Sequence, residues 1–289
     1  MVELVGGVPP LASVVVPAHN EERSIGRLLE AIAPSQGAQR FEVIVVCNGC
    51  TDRTADVARS FNVRVLDLKE PGKSNALLEG ERAAAGRFRI YLDADVEISA
   101  NSVEALISAV QSGPFLAAGP SRVVPRDGVQ RLVGWYYDVW EMLPSVREGL
   151  FGRGVIALSE SGVQRVRALP PSMSDDLAIS EAFTSEERIV VDTATVVVHP
   201  PRTLRDLVLR RSRIATGNAQ ADQSSLRTSS ARTGVRTLGS ILRRHPLSAG
   251  KLVVFVAVVA AGRLRARRSI AVGDFRTWER DESSRSQLG

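Results

Sequence analysis

The first hundred residues alternate between two hydrophobic patterns. Short apolar runs at 13–17 and 41–47 have the length and composition of buried strands, and further strands are expected at 63–68 and 88–92. Between these runs, apolar residues recur at helical spacing, as they do at Ile25, Leu28, Leu29 and Ile32. Further helices are expected over 52–60, 74–85 and 101–112. Alternation of this kind predicts an α/β fold with a Rossmann-like, mostly parallel sheet flanked by helices.

The pattern is less regular in the second half of the chain. Strands are expected over 115–118, 154–158 and 189–198, and a basic helix over 203–214. Most of the Trp and Tyr residues fall in 134–141, where sugar stacking, lipid contact and plain core packing are all open interpretations. We expect a catalytic domain over 1–217 and a basic, partly apolar helical region over 218–289.

The apolar run 252–261 is followed at once by the arginine-rich segment 263–268. A helix needs roughly 20 apolar residues to span the hydrocarbon core, so this run is too short for an ordinary crossing. It predicts either a core helix or an interfacial segment whose arginines lie at lipid headgroups.

Composition and charge narrow the choice of partners. The 289 residues are 44% hydrophobic and 24% charged, which is typical of a soluble globular protein. Residues 202–289 carry a net charge of +12 and residues 1–201 carry −7, which favours a basic tail that meets an anionic membrane surface. Nucleic acid ranks last among the partners because this tail holds few aromatic residues. The two cysteines, Cys47 and Cys50, are too few for a disulfide framework or a zinc site, and they favour a reducing compartment.

Asp93-Ala94-Asp95 is the strongest chemical signal, because it follows directly on a buried strand. Two carboxylates one residue apart can hold a hard divalent cation together with a diphosphate, since Mg²⁺ usually takes only one or two protein carboxylates. Ligands of parallel sheets also bind outside the carboxyl ends of the strands.

Several motifs in order carry a family resemblance. PAHNEE (17–22), NGCTD (48–52), Gly72-Lys73 and DAD (93–95) are followed by SDD (174–176) and, more loosely, RRSRI (210–214). This set resembles glycosyltransferase family 2, and the resemblance covers about residues 12–217. It implies a GT-A fold and inverting sugar transfer from a nucleotide-diphosphate donor. Where Asn48 stands the family more often has aspartate, but an amide can also pair with a base edge.

The resemblance assigns roles to individual residues. Donor binding falls to Pro17, Ala18, His19, Glu21, Asn48, Lys73, Asp93, Ala94 and Asp95. Asp95 would bind Mg²⁺ or Mn²⁺, with His199 as a further ligand, and Asp176 would act as general base with support from Asp175. Arg153, Arg210 and Arg213 would meet the diphosphate or a phosphate on the acceptor.

We therefore expect a metal-dependent inverting glycosyltransferase whose donor is a UDP-sugar and whose acceptor is a cell-envelope glycan or a lipid-phosphate-linked sugar. It would be cytoplasmic and peripheral on the inner face of the cell membrane. A nucleotidyltransferase is an alternative, although residues 17–22 lack its glycine-rich, basic first loop. A non-catalytic sugar-nucleotide-binding scaffold is the other alternative, and retention of the carboxylates argues against it.

Overall fold

A computed structural model describes residues 9–32, 40–169, 175–223 and 234–271. Its strands are β1 (Ala12–Ala18), β2 (Phe41–Asn48), β3 (Arg64–Leu68), β4 (Phe88–Leu92), β5 (Glu97–Ile98), β6 (Ala117–Val123), β7 (Val155–Leu158) and β8 (Arg188–Val197). Its helices are α1 (Ile25–Ile32), α2 (Thr54–Arg59), α3 (Lys73–Ala83), α4 (Ala100–Ser112), α5 (Arg131–Trp140), α6 (Pro144–Glu148), α7 (Glu160–Arg167), α8 (Asp175–Glu181), α9 (Leu204–Gln223), α10 (Val235–Arg244) and α11 (Ala249–Ala271). A 3₁₀ turn, Pro246–Ser248, precedes α11.

The chain forms two compact units that interleave along the sequence. Of the described residues, the sheet unit comprises 9–32, 40–123, 153–169 and 183–198, and the helical unit comprises 124–152, 175–182, 199–223 and 234–271. The compact units thus do not divide at residue 217, and the expected functional boundary there stays a prediction.

The sheet unit contains one eight-stranded sheet in the order β3-β2-β1-β4-β7-β6-β8-β5. The strands from β3 to β4 are all parallel, which the strand–helix alternation predicted. Beyond β4 the sheet is mixed, because β7 runs antiparallel to both of its neighbours and β5 runs antiparallel to β8. The apolar pattern of a four-residue strand such as β7 carries no information on its direction, so the sequence did not show this change.

Strands β1, β2 and β4 are buried on both faces, whereas β3 is partly exposed. Val14 and Val16 of β1 pack in a cluster with all four predicted apolar residues of α1, which are at most 2% exposed. Val15, between them, packs on the other face with Ala76 of α3. Because side chains of a strand alternate in direction, this two-sided burial explains why the strands are continuous apolar runs.

The helical unit has a separate core. Tyr136 of α5 is 1% exposed and stacks on Phe255 of α11, with ring centroids 5.1 Å apart. Tyr137 meets Tyr136 edge to face, and Leu207 of α9 joins the same cluster. For these tyrosines the structure supports core packing among the three interpretations of the aromatic segment.

Helix α11 contains the apolar run 252–261 and has two different faces. Its inner face packs in this core through Leu252, Phe255 and Val258, which are at most 9% exposed. Its outer face presents Val253, Val256 and Leu264, which are 69%, 48% and 56% exposed. Among the described residues, the stretch Pro246–Arg267 has the length and the apolar composition that crossing a membrane requires. Composition alone does not distinguish such a span from a core helix, and 28% of the apolar 18-residue window within it is buried.

Candidate functional site

The carboxyl ends of β1 and β2 are joined to the start of α3 by one side chain. Asn48, 5% exposed, donates from Nδ2 to the carbonyl of Ala18 over 2.7 Å. Its Oδ1 accepts from the backbone N–H of Gly72 over 3.1 Å. Because an amide both donates and accepts, Asn48 holds two loops at once. Its predicted contact with a base edge stays a prediction, and the bonds seen here use one of its two N–H groups.

His19 and Glu21 are held against the loop after β2. Nδ1 of His19 lies 2.6 Å from the carbonyl oxygen of Asn48, so this nitrogen carries the proton and donates it. Glu21 is 7% exposed, its backbone N–H donates to Thr54, and its carboxylate accepts from the hydroxyl of Ser24. Pro17 is buried within β1, beside these residues in the chain. The predicted nucleoside-binding residues therefore lie together at one edge of the sheet.

Asn20 precedes α1 in the sequence and is predicted to cap this helix, but that prediction is wrong. Asn20 adopts a left-handed conformation with φ of 54°, and its Oδ1 accepts from the N–H of Thr51. The helix begins only at Ile25. Asn20 thus connects the loop after β1 to the loop after β2.

Lys73 and the carboxylate motif are in direct contact. The Lys73 ammonium, at the first residue of α3, lies 2.7 Å from Oδ1 of Asp93. Ala94 is 5% exposed, whereas Asp93 and Asp95 are both partly exposed. The structure therefore brings Lys73, one of the predicted donor-binding residues, into contact with the predicted metal-binding motif.

Gly154 shapes the turn that carries these carboxylates, and the sequence analysis missed it. Its carbonyl accepts from the N–H of Asp93 over 2.8 Å, and its φ of +67° lies in the left-handed region. A Cβ at this position would lie 2.6 Å from a methyl group of Val96 and 3.3 Å from Oδ2 of Asp93. Only glycine fits here without displacing the motif. The glycines on both sides of Arg153 are the signal that could have indicated it.

Arg153 is buried, although the glycines on both sides of it favour a flexible loop. It is 3% exposed and donates to the carbonyl of Pro120 over 2.8 Å. Burial lowers its pKa to about 9, and repulsion from Arg122 adds to this effect. Two guanidinium groups thus lie close together in the sheet unit, an environment that favours an anion.

Asp176 is fixed within the helical unit. Its Oδ2 accepts from the N–H of Gly152 and its Oδ1 from the N–H of Leu177, both over 2.8 Å. Asp175 is the first residue of α8, so both acidic residues lie in the first turn of this helix. The side chain of Asp175 lies outside the described part of the structure. Asp176 is therefore oriented by backbone donors that a structural or a catalytic carboxylate would equally use.

The remaining predicted residues also lie in the helical unit. Arg210 donates to the hydroxyl of Tyr137 over 3.4 Å and to the carbonyl of His199 over 3.2 Å. Arg213 follows one turn later on α9 and is half-buried. A shared metal for Asp95 and His199, and a phosphate contact for the two arginines, stay predictions.

The donor set at the carboxylate motif suits a hard divalent cation. Within the described ranges, no cluster of three or more His, Cys, Asp or Glu side chains could enclose a metal ion by itself. Mg²⁺ and similar ions need only one or two carboxylates when substrate phosphates supply the other ligands. The oxygens of Asp93 and Asp95 therefore fit a metal that binds together with a diphosphate.

Comparison with known proteins agrees with this geometry. Residues 13–151 match the sequence model of "Glycosyl transferase family 2". A 4,4'-diaponeurosporenoate glycosyltransferase of Staphylococcus aureus (strain MRSA252) is 39% identical over 106 residues, which are 34% of this chain and 28% of that protein. The chain thus spans little more than a quarter of the length of the curated relatives it matches.

Two solved structures share the fold. A mannosyltransferase from Pyrobaculum calidifontis, in complex with GDP-Man and Mn²⁺, superposes with a TM-score of 0.60 at 20% identity, covering 98% of this chain and 86% of that one. Glucosyl-3-phosphoglycerate synthase from Mycobacterium tuberculosis, in complex with Mn²⁺, UDP-glucose and glycerol 3-phosphate, gives 0.55 at 22% identity, covering 76% and 82%. At these identities the likeness concerns the fold, and it is the GT-A fold that the motifs predicted.

Proposed function

This chain carries a glycosyl transferase family 2 domain in residues 13–151, and from that premise we propose that it is a metal-dependent inverting glycosyltransferase. It moves a sugar from a nucleotide-diphosphate donor, a UDP-sugar, to a cell-envelope glycan or a lipid-phosphate-linked acceptor. One observation carries the proposal. The Lys73 ammonium touches Asp93 at the sheet edge where Asn48 joins the loops after β1 and β2 to the start of α3.

Donor binding is assigned to residues of the sheet unit. Lys73, at the N-terminus of α3, meets the diphosphate, because both its charge and the helix end favour an anion. Asp95, with Asp93, holds Mg²⁺ or Mn²⁺, which when bound stabilises the negative charge of the departing diphosphate. His19 and Glu21, fixed by the contacts described above, line the nucleoside side of the same edge.

Transfer requires a base for the acceptor. In this proposal Asp176 accepts the proton of the acceptor hydroxyl as that oxygen forms the new bond to the anomeric carbon. The bond from that carbon to the diphosphate breaks on the opposite side, so the configuration inverts. The two backbone N–H donors keep the carboxylate in one orientation and leave lone pairs on both oxygens.

Donor binding is tested by thermal unfolding of the full chain with UDP-, GDP- and dTDP-sugars, each with and without Mn²⁺ or Mg²⁺. A ligand at a hundred times its Kd stabilises the native state by about 2.7 kcal/mol. We expect one nucleotide class to raise the Tm only with metal, and Asp95→Asn to remove this rise. Asp56→Asn, an exposed carboxylate on α2, is the control and should leave it unchanged.

Product analysis separates the three interpretations. A glycosyltransferase releases nucleoside diphosphate, whereas a nucleotidyltransferase releases pyrophosphate from a nucleoside triphosphate and a sugar phosphate. Donor binding without turnover on any lipid-linked or glycan acceptor would favour the scaffold. A metal-independent Tm rise that Asp95→Asn leaves intact would contradict the metal role.

We also propose that the helical unit lies against the anionic inner leaflet of the cell membrane. The outer face of α11 presents Val253, Val256 and Leu264 to solvent, and Leu247 in the turn before it is 98% exposed. Exposed apolar residues grouped along one helix face are typical of an interaction surface. A bilayer interface accepts such a face while the opposite face stays packed in the protein.

Arginines border this apolar face. Arg263 and Arg267 are exposed on the last turns of α11, and Arg243 and Arg244 end α10. Each basic residue near an anionic leaflet contributes about 1 kcal/mol. The combination of apolar face and basic border favours a charged lipid surface over a protein partner.

Vesicle flotation tests this attachment. The full chain should float with vesicles that contain phosphatidylglycerol, and Arg263→Gln with Arg267→Gln should weaken binding about 30-fold, the equivalent of about 2 kcal/mol. Arg82→Gln with Arg87→Gln, both exposed in the sheet unit, is the matched control. Equal binding by both double variants would contradict the proposal. Protein that resists high salt and alkaline extraction would indicate a spanning helix instead.

A further inference from the structure

Cys47 and Cys50 lie on either side of the loop that carries Asn48. Cys47, the last residue but one of β2, has no solvent exposure and lies in the apolar cluster, and Cys50 is half-buried and packs against the same cluster. Between them, Gly49 takes a φ of +63°, and a Cβ on it would lie 2.7 Å from the nitrogen of Pro71. This left-handed residue turns the chain back, so that both cysteine side chains pack as neighbours in the same apolar cluster.

The two thiols have different surroundings. The Cys47 thiol donates to the sulfur of Cys50, and this bond, together with burial, raises the pKa of Cys47 far above its ordinary value. The same bond lowers the pKa of Cys50 to about 7, and the N–H of Asn20, 3.5 Å away, acts in the same direction. Desolvation and Asp52 oppose this lowering, while Cys47 faces Asp67 and Arg59. Cys50 is therefore the nucleophile of the pair, and Cys47 is the buried partner.

We propose that Cys50 and Cys47 form a reversible thiol–disulfide couple at the edge of the sheet. A hydroperoxide is the oxidant. The Cys50 thiolate attacks one peroxide oxygen, the O–O bond breaks, and Cys50 becomes a sulfenic acid while the other oxygen leaves as hydroxide or alkoxide and takes up a proton. The Cys47 sulfur then attacks that sulfur, a water molecule leaves with the thiol proton, and the disulfide forms. A dithiol reductant restores both thiols.

The disulfide would alter the loops around it. Cys50 now contacts Asn20 and the carbonyl of Ala18, which also accepts from Asn48. Pulling the Cys50 sulfur into a bond with Cys47 breaks these contacts. If the proposed function holds, these loops bind the nucleoside, and oxidation should lower the affinity for the donor. This last step rests on the proposed function, whereas the thiol chemistry does not.

Mass spectrometry of the full chain tests the couple. After treatment with hydrogen peroxide and blocking of free thiols, we expect a peptide pair joined through Cys47 and Cys50, lighter by two hydrogen atoms and restored by dithiothreitol. Cys47→Ser should instead trap Cys50 as a sulfenic acid that reacts with dimedone. Cys50→Ser should leave Cys47 unmodified under native conditions. Absence of the cross-link, with irreversible oxidation of the native chain, would overturn the proposal.

The pH dependence of alkylation gives a second, independent measurement. Iodoacetamide should modify Cys50 with a midpoint near pH 7. Cys47→Ala removes the donor and should move the midpoint toward the ordinary value of about 8.5, which lowers the rate at pH 7 about threefold once the weaker nucleophilicity of a low-pKa thiolate is included. Cys47→Ser keeps a donor and should shift it less. Identical midpoints in all three proteins would overturn the assignment of Cys50 as nucleophile.

Donor titrations of the reduced and oxidised chain complete the test. Weaker binding after oxidation, restored by dithiothreitol and unchanged by peroxide in Cys50→Ser, supports the link to the donor site. If the reduced chain binds no nucleotide sugar while the cross-link still forms, the proposed function fails and the couple stands. Equal affinity of both forms for the donor would overturn the link.

Discussion

The edge of the sheet and helix α11 differ in how their characteristic side chains are placed. At the sheet edge, polar side chains are tied to one another and to nearby backbone, as Asn48 is to Ala18 and Gly72, and Lys73 is to Asp93. On α11, apolar side chains are divided between the interior and the solvent. The first region was recognisable from local motifs, whereas the second depends on which face of a helix finds a partner. Variants at the sheet edge should therefore affect donor binding or transfer, and variants on α11 should affect either stability or membrane attachment.

The largest expected effect is on the rate of sugar transfer, and it concerns a residue of the helical unit. Asp176→Asn keeps the size of the side chain and removes the proton acceptor, so transfer should fall by about 10²- to 10⁴-fold. Donor binding, measured by thermal shift with metal, should stay nearly intact. Parallel loss of both would instead mark Asp176 as a structural carboxylate that holds Gly152.

The two faces of α11 offer a matched pair of variants. Phe255→Ala removes a ring that stacks on Tyr136 in the core and should lower the free energy of unfolding by about 3–5 kcal/mol. Val253→Ala, two positions away on the outer face, should change it by less than about 0.5 kcal/mol. Urea unfolding at one temperature measures both. Similar costs for the two variants would mean that Val253 is covered in solution.

A buried ion pair within the sheet unit should contribute more to the free energy of unfolding than an exposed one. Arg89 in β4 is 3% exposed and donates to Glu81 of α3 over 2.6 Å. Arg89→Met leaves Glu81 to Arg167 and Tyr91, so we expect a loss near the lower end of the range for broken buried pairs, about 3 kcal/mol. Arg82→Met, which breaks an exposed pair with Glu79, should cost less than about 1 kcal/mol. Equal losses in urea unfolding would contradict this difference.

The smallest expected effect concerns the exposed ion pair between Arg165 and Glu187. A hydrogen bond from Arg165, and then the N–H of Thr184, lower the pKa of Glu187 from 4.5 to about 2. Because this pKa is depressed in the folded state, the stabilisation is complete above pH 4.5 and is lost as the pH falls toward 2. Glu187→Gln should therefore lower the Tm slightly at pH 6 and leave it unchanged at pH 2. A larger effect in acid than at neutral pH would contradict the sign.

Much of the fold could be predicted because its signals are local. A strand buried on both faces shows as a continuous apolar run, so the parallel strands and the four apolar residues of α1 were found from the sequence. The antiparallel insertion of β7 was missed, since strand direction depends on which distant edge the chain joins. The interleaving of the two compact units likewise depends on contacts between distant segments of the chain.

The site was predictable as a set of residue types and not as a set of contacts. Motif order indicated that Lys73 and Asp93 belong to one site, and the structure brings them together. Burial of Arg153 could not be read from a glycine–arginine–glycine sequence, which also suits an open loop. The packing of both cysteines in one apolar cluster likewise depends on a left-handed glycine that the sequence alone does not fix.

The amide of Asn48 has a consequence for evolution and engineering at this position. An aspartate there would accept from Gly72 as well as Asn48 does, but it would place a negative oxygen against the carbonyl of Ala18, where a donor now points. The asparagine thus holds the ends of β1 and β2 and the start of α3 together before any ligand binds, and a rigid receptor loses less entropy when its ligand binds.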